Sequence, residues 1–340
     1  MINRREMLGG TLAVGLGTRM AYAASPAPIK FVVDFTYQGD HAIWALPLQN
    51  GTFKKNGLDV SISRGYGSGD TIVKVASGAY DVGFADISAV VKFNSDNPDK
   101  RVIGVAQVFD HTLCAIITLA KNGIHKPTDL VGKTIGDPGF DASRILFPAF
   151  AQANHIDPSK VIWKNIAPNL RETILVKGQV QAIGGFTSTS LFNLMHIGVK
   201  RKDIVMLKFA DNGVDLYGNS VIVRESYLKQ HPDLVRAFVL TTVEGTQQAI
   251  KDPEGGMAAM QKIDPLFDVK LELARWKYVL AQTILTPEFE KHGFGYVDPE
   301  RMKKTIQANV LSYGIKKPPT PDEIYTLSML PPKSQRMLKS

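Results

Sequence analysis

The chain has 340 residues, 44% hydrophobic and 21% charged, with a net charge of +8. That length suits two compact units at ~100–200 residues each, and that balance excludes a disordered chain and a membrane bundle. The basic residues are scattered, with Lys200-Arg201-Lys202 the one tight triplet. No face or stripe of charge marks a nucleic-acid partner, so none is expected.

The N-terminus comes first. Asn3-Arg4-Arg5-Glu6 precedes a weakly apolar stretch from Met7 to Thr18, and Ala21-Tyr22-Ala23 follows. A basic region, a short apolar segment and a small-x-small site compose an export signal over residues 1–23, with the mature chain starting near Ala24. Gly9, Gly10, Gly15 and Gly17 make the alternative, a first helix of the fold, a poor one. Arg4-Arg5 with Met7-Leu8 also resembles a twin-arginine signal, but Asn3 stands where Ser or Thr is usual; both export routes stay open. No cysteine lies near the cleavage site, so a lipid anchor is not expected, and the compartment implied is a periplasm. Cys114 is the only cysteine, which excludes an internal disulfide and a cysteine-rich metal site.

Strands and helices then alternate. Ile29 to Val33 reads as a strand, Ala42 to Asn50 as a helix and Asp59 to Ser63 as a strand. The glycine loop Gly65 to Gly69 leads into a helix over Asp70 to Ser77, and Val82 to Ala85 is a buried strand. A second series runs through Lys133 to Gly136 (strand), Ser143 to Asn154 (helix), Val161 to Lys164 (strand), Asn169 to Lys177 (helix) and Ala182 to Gly185 (strand). This alternation predicts an α/β fold with largely parallel sheets. Ala76 to Gly83 and Val176 to Ile183 echo each other: each ends a helix at glycine and enters an apolar strand. Local capping alone accounts for that, but it also suits two similar lobes. The last third predicts helices over Pro232 to Ile250, Pro253 to Ile263, Val269 to Thr283 and Pro299 to Leu311, then an extended segment from Lys316 to Pro321.

Three segments sit where a strand gives way to a helix. Gly65-Tyr66-Gly67-Ser68-Gly69-Asp70 has free backbone N–H groups to offer a ligand, though Asp70 could cap the helix instead. Asp86 lies about where a ribose-binding acid would sit, but Asp70 replaces the third glycine of a dinucleotide loop and no Gly-Lys-Ser/Thr follows. In Gly136 to Arg144, Ser143 offers a hydroxyl and Arg144 a fork of donors; the alternative is a capping turn with Arg144 on the surface. In Tyr37 to Trp44, aromatic and polar residues mix at the carboxyl end of a strand, where open α/β sheets hold ligands. His41 and Trp44 are candidates there, against a capping histidine and a core tryptophan.

Asp40-His41-Ala42, Gly51 to Val60 and Val75 to Gly83 resemble the thiamine-pyrimidine-precursor-binding family of type II periplasmic binding proteins, related to aliphatic-sulfonate, taurine and nitrate receptors. Lys126 to Gly136 is similar to the segment that opens their second lobe. The resemblance covers most of Ile29 to Pro253. It implies the type II periplasmic binding protein fold, two α/β lobes joined by two crossing segments: lobe one from 24–113 plus 220–340, lobe two from 114–219, with crossings near His111 to Ile117 and Asp215 to Val221. It also implies a monomer that closes on a small solute between the lobes and delivers it to an ABC transporter permease at the inner membrane, without a cofactor.

The solute then belongs to one of two classes. A pyrimidine or other heteroaromatic wants stacking rings, for which Tyr37, Trp44, Phe186 and Tyr217 are candidates. A sulfonate-like anion wants Ser143, Arg144 and the backbone donors around Ser68 and Gly69. The Asp-His-Ala element favours the heteroaromatic. An enzyme is not expected: no metal-spaced histidine pair and no Gly-x-Ser-x-Gly elbow occurs. One cysteine also cannot supply the iron-associated cluster of the pyrimidine synthases that share the fold.

Overall fold

The computed structural model describes residues 25–338, so the export-signal segment 1–23 lies outside the described residues. The chain first lays down β1 (Ala27–Val32), β2 (Leu58–Ser63), β3 (Val82–Asp86) and β4 (Val102–Gln107). It crosses to build β5 (Cys114–Leu119), β6 (Thr134–Gly136), β7 (Ile162–Lys164), β8 (Ala182–Phe186) and β9 (Ile204–Lys208), then returns with β10 (Asn219–Arg224). Two five-stranded sheets result, ordered β2-β1-β3-β10-β4 and β7-β6-β8-β5-β9. Each sheet with its helices forms one lobe.

The sheets are mixed, which corrects the expectation of largely parallel ones. β10 runs antiparallel to β3 and β4, and β5 runs antiparallel to β8 and β9. The cause is the crossing. A strand entering from the other lobe starts at the edge where its neighbours end. The crossings themselves, residues 108–113 and 209–218, fall slightly earlier than the sequence windows: Cys114 to Ile117 already lie in β5, and Asn219 to Val221 in β10. They bond to each other, Gly218 N to Phe109 O (3.0 Å) and Thr112 N to Leu216 O (2.8 Å). Arg301 staples both, donating to Asp110 Oδ1 (2.6 Å) and O (2.8 Å) on one and to Asp215 Oδ1 (3.3 Å) on the other.

Helices cover the sheets: α1 (Ala42–Gln49), α2 (Thr52–Lys55), α3 (Ser68–Ala76) and α4 (Ile87–Asp96) on the first; α5 (Ala142–Ala153), α6 (Arg171–Val176) and α7 (Thr187–His196) on the second. Beyond β10 come α8 (Glu225–Gln230), α9 (Pro232–Lys251), α10 (Pro253–Ile263), α11 (Val269–Val279), α12 (Pro287–His292) and α13 (Pro299–Tyr313). α11 ends four residues earlier than its pattern predicts and continues as a π-helical turn, Leu280–Ile284, whose Thr283 carbonyl accepts from Asp110 N in the first crossing (2.9 Å). Among the described residues no helix is long and apolar enough to cross a membrane.

The first lobe's core centres on Trp44, edge-on to Phe31 (4.8 Å) and Phe84 (4.9 Å), with its indole N–H on Thr242 Oγ1 (3.0 Å). The second lobe's core stacks Phe150 on Phe209 (4.5 Å). Such aromatic pairs add ~0.5–1.5 kcal/mol each to area burial. Two separately packed cores leave the edges that face each other for polar residues.

Candidate functional site

β1 and β3 end, and β10 begins, at the edge of the first sheet that faces the second lobe. Asp34 follows β1 there. Its Oδ1 accepts from His41 Nε2 (3.2 Å) and its Oδ2 from Asn219 Nδ2 (2.8 Å). The Gln38 amide donates to His41 Nδ1 (3.1 Å), which places the imidazole proton on Nε2, toward Asp34. Asp86 ends β3 and caps α4, one oxygen accepting from Ser88 N (2.9 Å). Its other oxygen is buried without a partner, as is Oδ1 of Asn219, which lies directly across the β3–β10 ladder. Burial pushes the Asp86 carboxyl up to about 7 and also raises Asp40. Ser68 opens α3 and accepts the Asp86 amide on Oγ (3.1 Å).

On the second lobe, Asp137 follows β6, Asp141 caps α5 and Arg171 opens α6. Arg171 Nη1 donates to Asp141 Oδ2 (2.8 Å) and Gly184 O (3.2 Å), with Asp137 Oδ1 at 3.4 Å. Ser143 Oγ lies 2.7 Å from Asp137 Oδ2 and 2.8 Å from Asp141 Oδ1. One hydroxyl proton cannot serve both carboxylates. A proton on Asp137 completes the set: Asp137 donates to Ser143, and Ser143 to Asp141. Burial, followed by the neighbouring Asp141, raises Asp137 in that direction.

The two walls meet closely. Asp34, Phe35 and Ser68 from the first lobe and Asp141, Arg171 and Phe186 from the second line a shared cavity of about 20 Å³. That is room for about one water; ligand pockets typically measure ~300–1,000 Å³. A solute therefore requires the lobes to part. A Cβ at Gly69 would lie 2.7 Å from the Phe140 carbonyl oxygen, so the two strand-to-helix turns press together at a point where only glycine fits. The Arg171 guanidinium sits 5.4 Å from the Phe35 ring, and Gln38 Nε2 donates to Thr189 Oγ1 (3.1 Å), both across the seam. A larger cavity, about 280 Å³, is lined by residues of both crossings, among them His111 and Asp215, together with Thr187, Lys208 and Gln282.

The expected site residues divide. Ser68 and Phe186 line the shared cavity; Gly69, Ser143, Asp86 and His41 stand directly behind it, each engaged as described. Four others are placed elsewhere. Trp44 is core, closed in by Phe31, Phe84 and Thr242. Tyr217 is fully buried beneath Arg301 (4.2 Å) and accepts the Asp298 amide (2.8 Å). Tyr37 spends its hydroxyl on Ile62 O in β2 (3.0 Å). Arg144 turns away, donating to Asp137 O (3.1 Å) and lying over Trp163 (4.7 Å). Partners within the same lobe take Trp44, Tyr37 and Arg144, while Tyr217, on the second crossing, is taken by the start of α13. The residues not anticipated are Asp34, Phe35, Arg171, Thr189 and Asn219. Arg171 and Thr189 occupy first turns of helices, the one sequence signal that could have found them.

A family model described as NMT1/THI5 like matches residues 38–255. The chain belongs to the NMT1/THI5-like family. Within it or near it, the chain is similar to the formylaminopyrimidine-binding protein of Halalkalibacterium halodurans, 26% identical over 228 residues, 66% of this chain and 67% of that one. It is also 23% identical over 234 residues to the 4-amino-5-hydroxymethyl-2-methylpyrimidine phosphate synthase of Schizosaccharomyces pombe, 66% of each chain. Among solved structures, the alkanesulfonate-binding protein of Xanthomonas axonopodis pv. citri, bound to MOPS, superposes with a TM-score of 0.68 at 14% identity, covering 89% of this chain and 98% of that one. That likeness fixes the fold as a periplasmic-binding-protein fold, as the sequence resemblance implies.

Proposed function

We propose that this chain is a periplasmic solute receptor of an ABC importer, and that its solute is a small heteroaromatic carrying N–H donors, an amino-substituted pyrimidine. The observation that carries this is the composition of the cleft. One aromatic ring from each lobe, Phe35 and Phe186, lines the cavity together with the carboxylates Asp34 and Asp141. Flat rings offer a stacking surface and carboxylates accept N–H bonds. The single arginine among the described lining residues, Arg171, is spent on Asp141 and Gly184. An anion would meet carboxylates there and no free cation, which weighs against the sulfonate, taurine and nitrate class. The formylaminopyrimidine-binding relative supports the same choice.

The chain acts by binding, without chemistry of its own. The synthase relative raises the enzyme alternative, but Cys114 is fully buried and burial pushes its thiol well up, so it supplies no nucleophile. A thermal-shift screen over aminopyrimidines, alkanesulfonates, taurine and nitrate tests the proposal. At a hundredfold excess over its dissociation constant the true solute stabilises by ~2.7 kcal/mol. Stabilisation by a sulfonate and by no pyrimidine overturns the assignment.

A further inference from the structure

α11 belongs to one lobe and touches the other. Glu272, Trp276 and Val279 lie on one face of this helix, and Leu271, Arg275 and Tyr278 on the neighbouring face, by the three- and four-residue spacing of helical stripes. Trp276 and Val279 are fully buried in the first lobe's core, and the indole N–H donates to Ala249 O (3.2 Å). Leu271 and Tyr278 pack on the second lobe's core, Tyr278 edge-on to Phe192 (5.8 Å).

Arg275 is 1% exposed. Its Nε and Nη2 fork onto Glu272 (2.7 and 2.9 Å). Its Nη1 donates to Ser188 O (2.6 Å) and Thr189 O (3.1 Å), and Nη2 to Asn193 Oδ1 (3.0 Å), all on α7 of the second lobe. Glu272 Oε2 also accepts from Gly39 N (2.8 Å). Gly39 lies so close to α11 that a Cβ there would fall 2.1 Å from Glu272 O. Its neighbour Gln38 meets Thr189 across the cleft. One unbroken set of contacts thus runs from the Asp34–His41 loop through Glu272 and Arg275 to the first turn of α7.

We infer that Glu272 and Arg275 form a clasp that holds the lobes shut in the solute-free chain, acting as positioning residues for Gln38 and Thr189 and setting how readily the cleft opens to a solute. The inference rests on the solute-receptor reading above. The ion pair lies within one helix, so it persists when the lobes part. Only the three bonds to α7 form on closure. Because Glu272 already balances the guanidinium, closure buries a neutral pair rather than a lone charge, and the desolvation cost stays low. The clasp therefore acts on entry: the shut cleft has room for about one water, so a solute enters only after the three bonds to α7 break.

The test places spin labels at Lys54→Cys and Lys177→Cys, exposed positions on the two lobes, in the otherwise intact chain. Lobe separation is measured without solute and with 4-amino-5-hydroxymethyl-2-methylpyrimidine, and the association rate of that probe by stopped flow. Arg275→Met should lower the closed population of the free chain and raise the association rate of the probe ~10–100-fold, the change expected on losing charged hydrogen bonds that hold the cleft shut. Arg275→Lys should recover part of both. A merely structural role would change melting temperature and leave the association rate and the lobe separation of the free chain alone. Should Arg275→Met not fold, Asn193→Ala and Arg275→Lys carry the same comparison with smaller shifts. Unchanged closed population of the free chain and unchanged association rate in the folded variants overturn the clasp. If the parent chain binds no pyrimidine, the ligand assignment fails separately, and the clasp is then judged by lobe separation in the free protein.

Discussion

On the second lobe's wall, Asp137 and Asp141 share the Ser143 hydroxyl and the Arg171 guanidinium. On the first lobe's wall, Asp34 and Asp86 have amide, imidazole and backbone donors, and no Lys or Arg among the described residues pairs with either. Two carboxylates thus sit on each wall, but only one wall supplies its own cation. The second wall is a finished, neutral scaffold that a solute meets ready-made. The first keeps acceptors in reserve, including the unpartnered oxygens of Asp86 and Asn219. Similar lobes with the same strand order have come to divide the work, one holding shape and the other offering hydrogen-bond capacity.

Removing the second wall's cation should break the comparison most severely. Arg171→Met leaves Asp141 buried without its partner, and such a loss typically costs ~3–5 kcal/mol. Urea unfolding should show it as a lower midpoint at constant slope. Adding Asp141→Asn should recover part of the loss, because the two sites are coupled. Equal stability of Arg171→Met and the parent would mean that Arg171 is not the neutralising group.

The pH dependence of stability comes next in size. Burial raises Asp86 to about 7, and raises Asp137 and Asp40 as well. Carboxyls in the unfolded chain lose their protons near pH ~4. Between roughly pH 4 and 7 the folded chain therefore holds more protons than the unfolded one, and stability falls as pH rises through that window. Asp86→Asn removes one such group, so its melting temperature should decline less steeply between pH 5 and 7. Each pKa unit corresponds to ~1.4 kcal/mol. A slope identical to the parent's would show that Asp86 ionises as an exposed acid does.

A smaller effect separates the walls in binding. Asp34→Asn keeps the shape of the cleft and weakens an acceptor, so affinity for the pyrimidine probe should fall ~10-fold or more, as for a charged hydrogen bond. Asp141→Asn should cost less, since Arg171 already occupies Asp141. Calorimetry ranks the two, and the reverse ranking would move the solute's donors to the second lobe.

The architecture was legible where local physics speaks. The helix–glycine–strand echo at Gly78 and Gly178 marks β3 and β8, which occupy the central place in their respective sheets. The sequence pattern predicts no strand at β4, β5, β9 or β10, although the expected crossings overlap the starts of β5 and β10. Val102 to Gln107, Cys114 to Leu119 and Asn219 to Val223 are buried continuously and show no alternation. α7 escaped because its Thr187-Ser188-Thr189-Ser190 opening has the composition of a loop. The turns at Ser68 and Ser143 were found from strand-to-helix position alone. Arg171 and Arg275 were not, because a charged residue on a helix reads as solvated until its partners on distant strands and helices are known. Trp44 and Tyr217 went the other way: an aromatic near a strand end has the same sequence signature whether it stacks on a solute or fills a core.

The smallest expected effect is the most telling about ligand class. Arg144 lies beside the second wall yet contributes nothing to its neutrality. It donates to the Asp137 backbone oxygen and stacks over Trp163, and it is not among the residues that line the cavity. Arg144→Ala should therefore cost ~0.5–1 kcal/mol of stability, the worth of an accessible cation–π contact, and leave affinity for the pyrimidine probe unchanged. The contrast with Arg171 is one of partners: Arg171 answers buried carboxylates, while Arg144 answers a carbonyl and a ring. An anionic solute would reverse this. It would need a cation in the cleft, and with Arg171 committed, Arg144 is the neighbouring arginine able to swing in. Its removal would then cost on the order of 2–5 kcal/mol in binding, concentrated in the dissociation rate. Surface plasmon resonance on Arg144→Ala with both ligand classes separates the two, because one outcome leaves every binding rate in place and the other changes release by orders of magnitude.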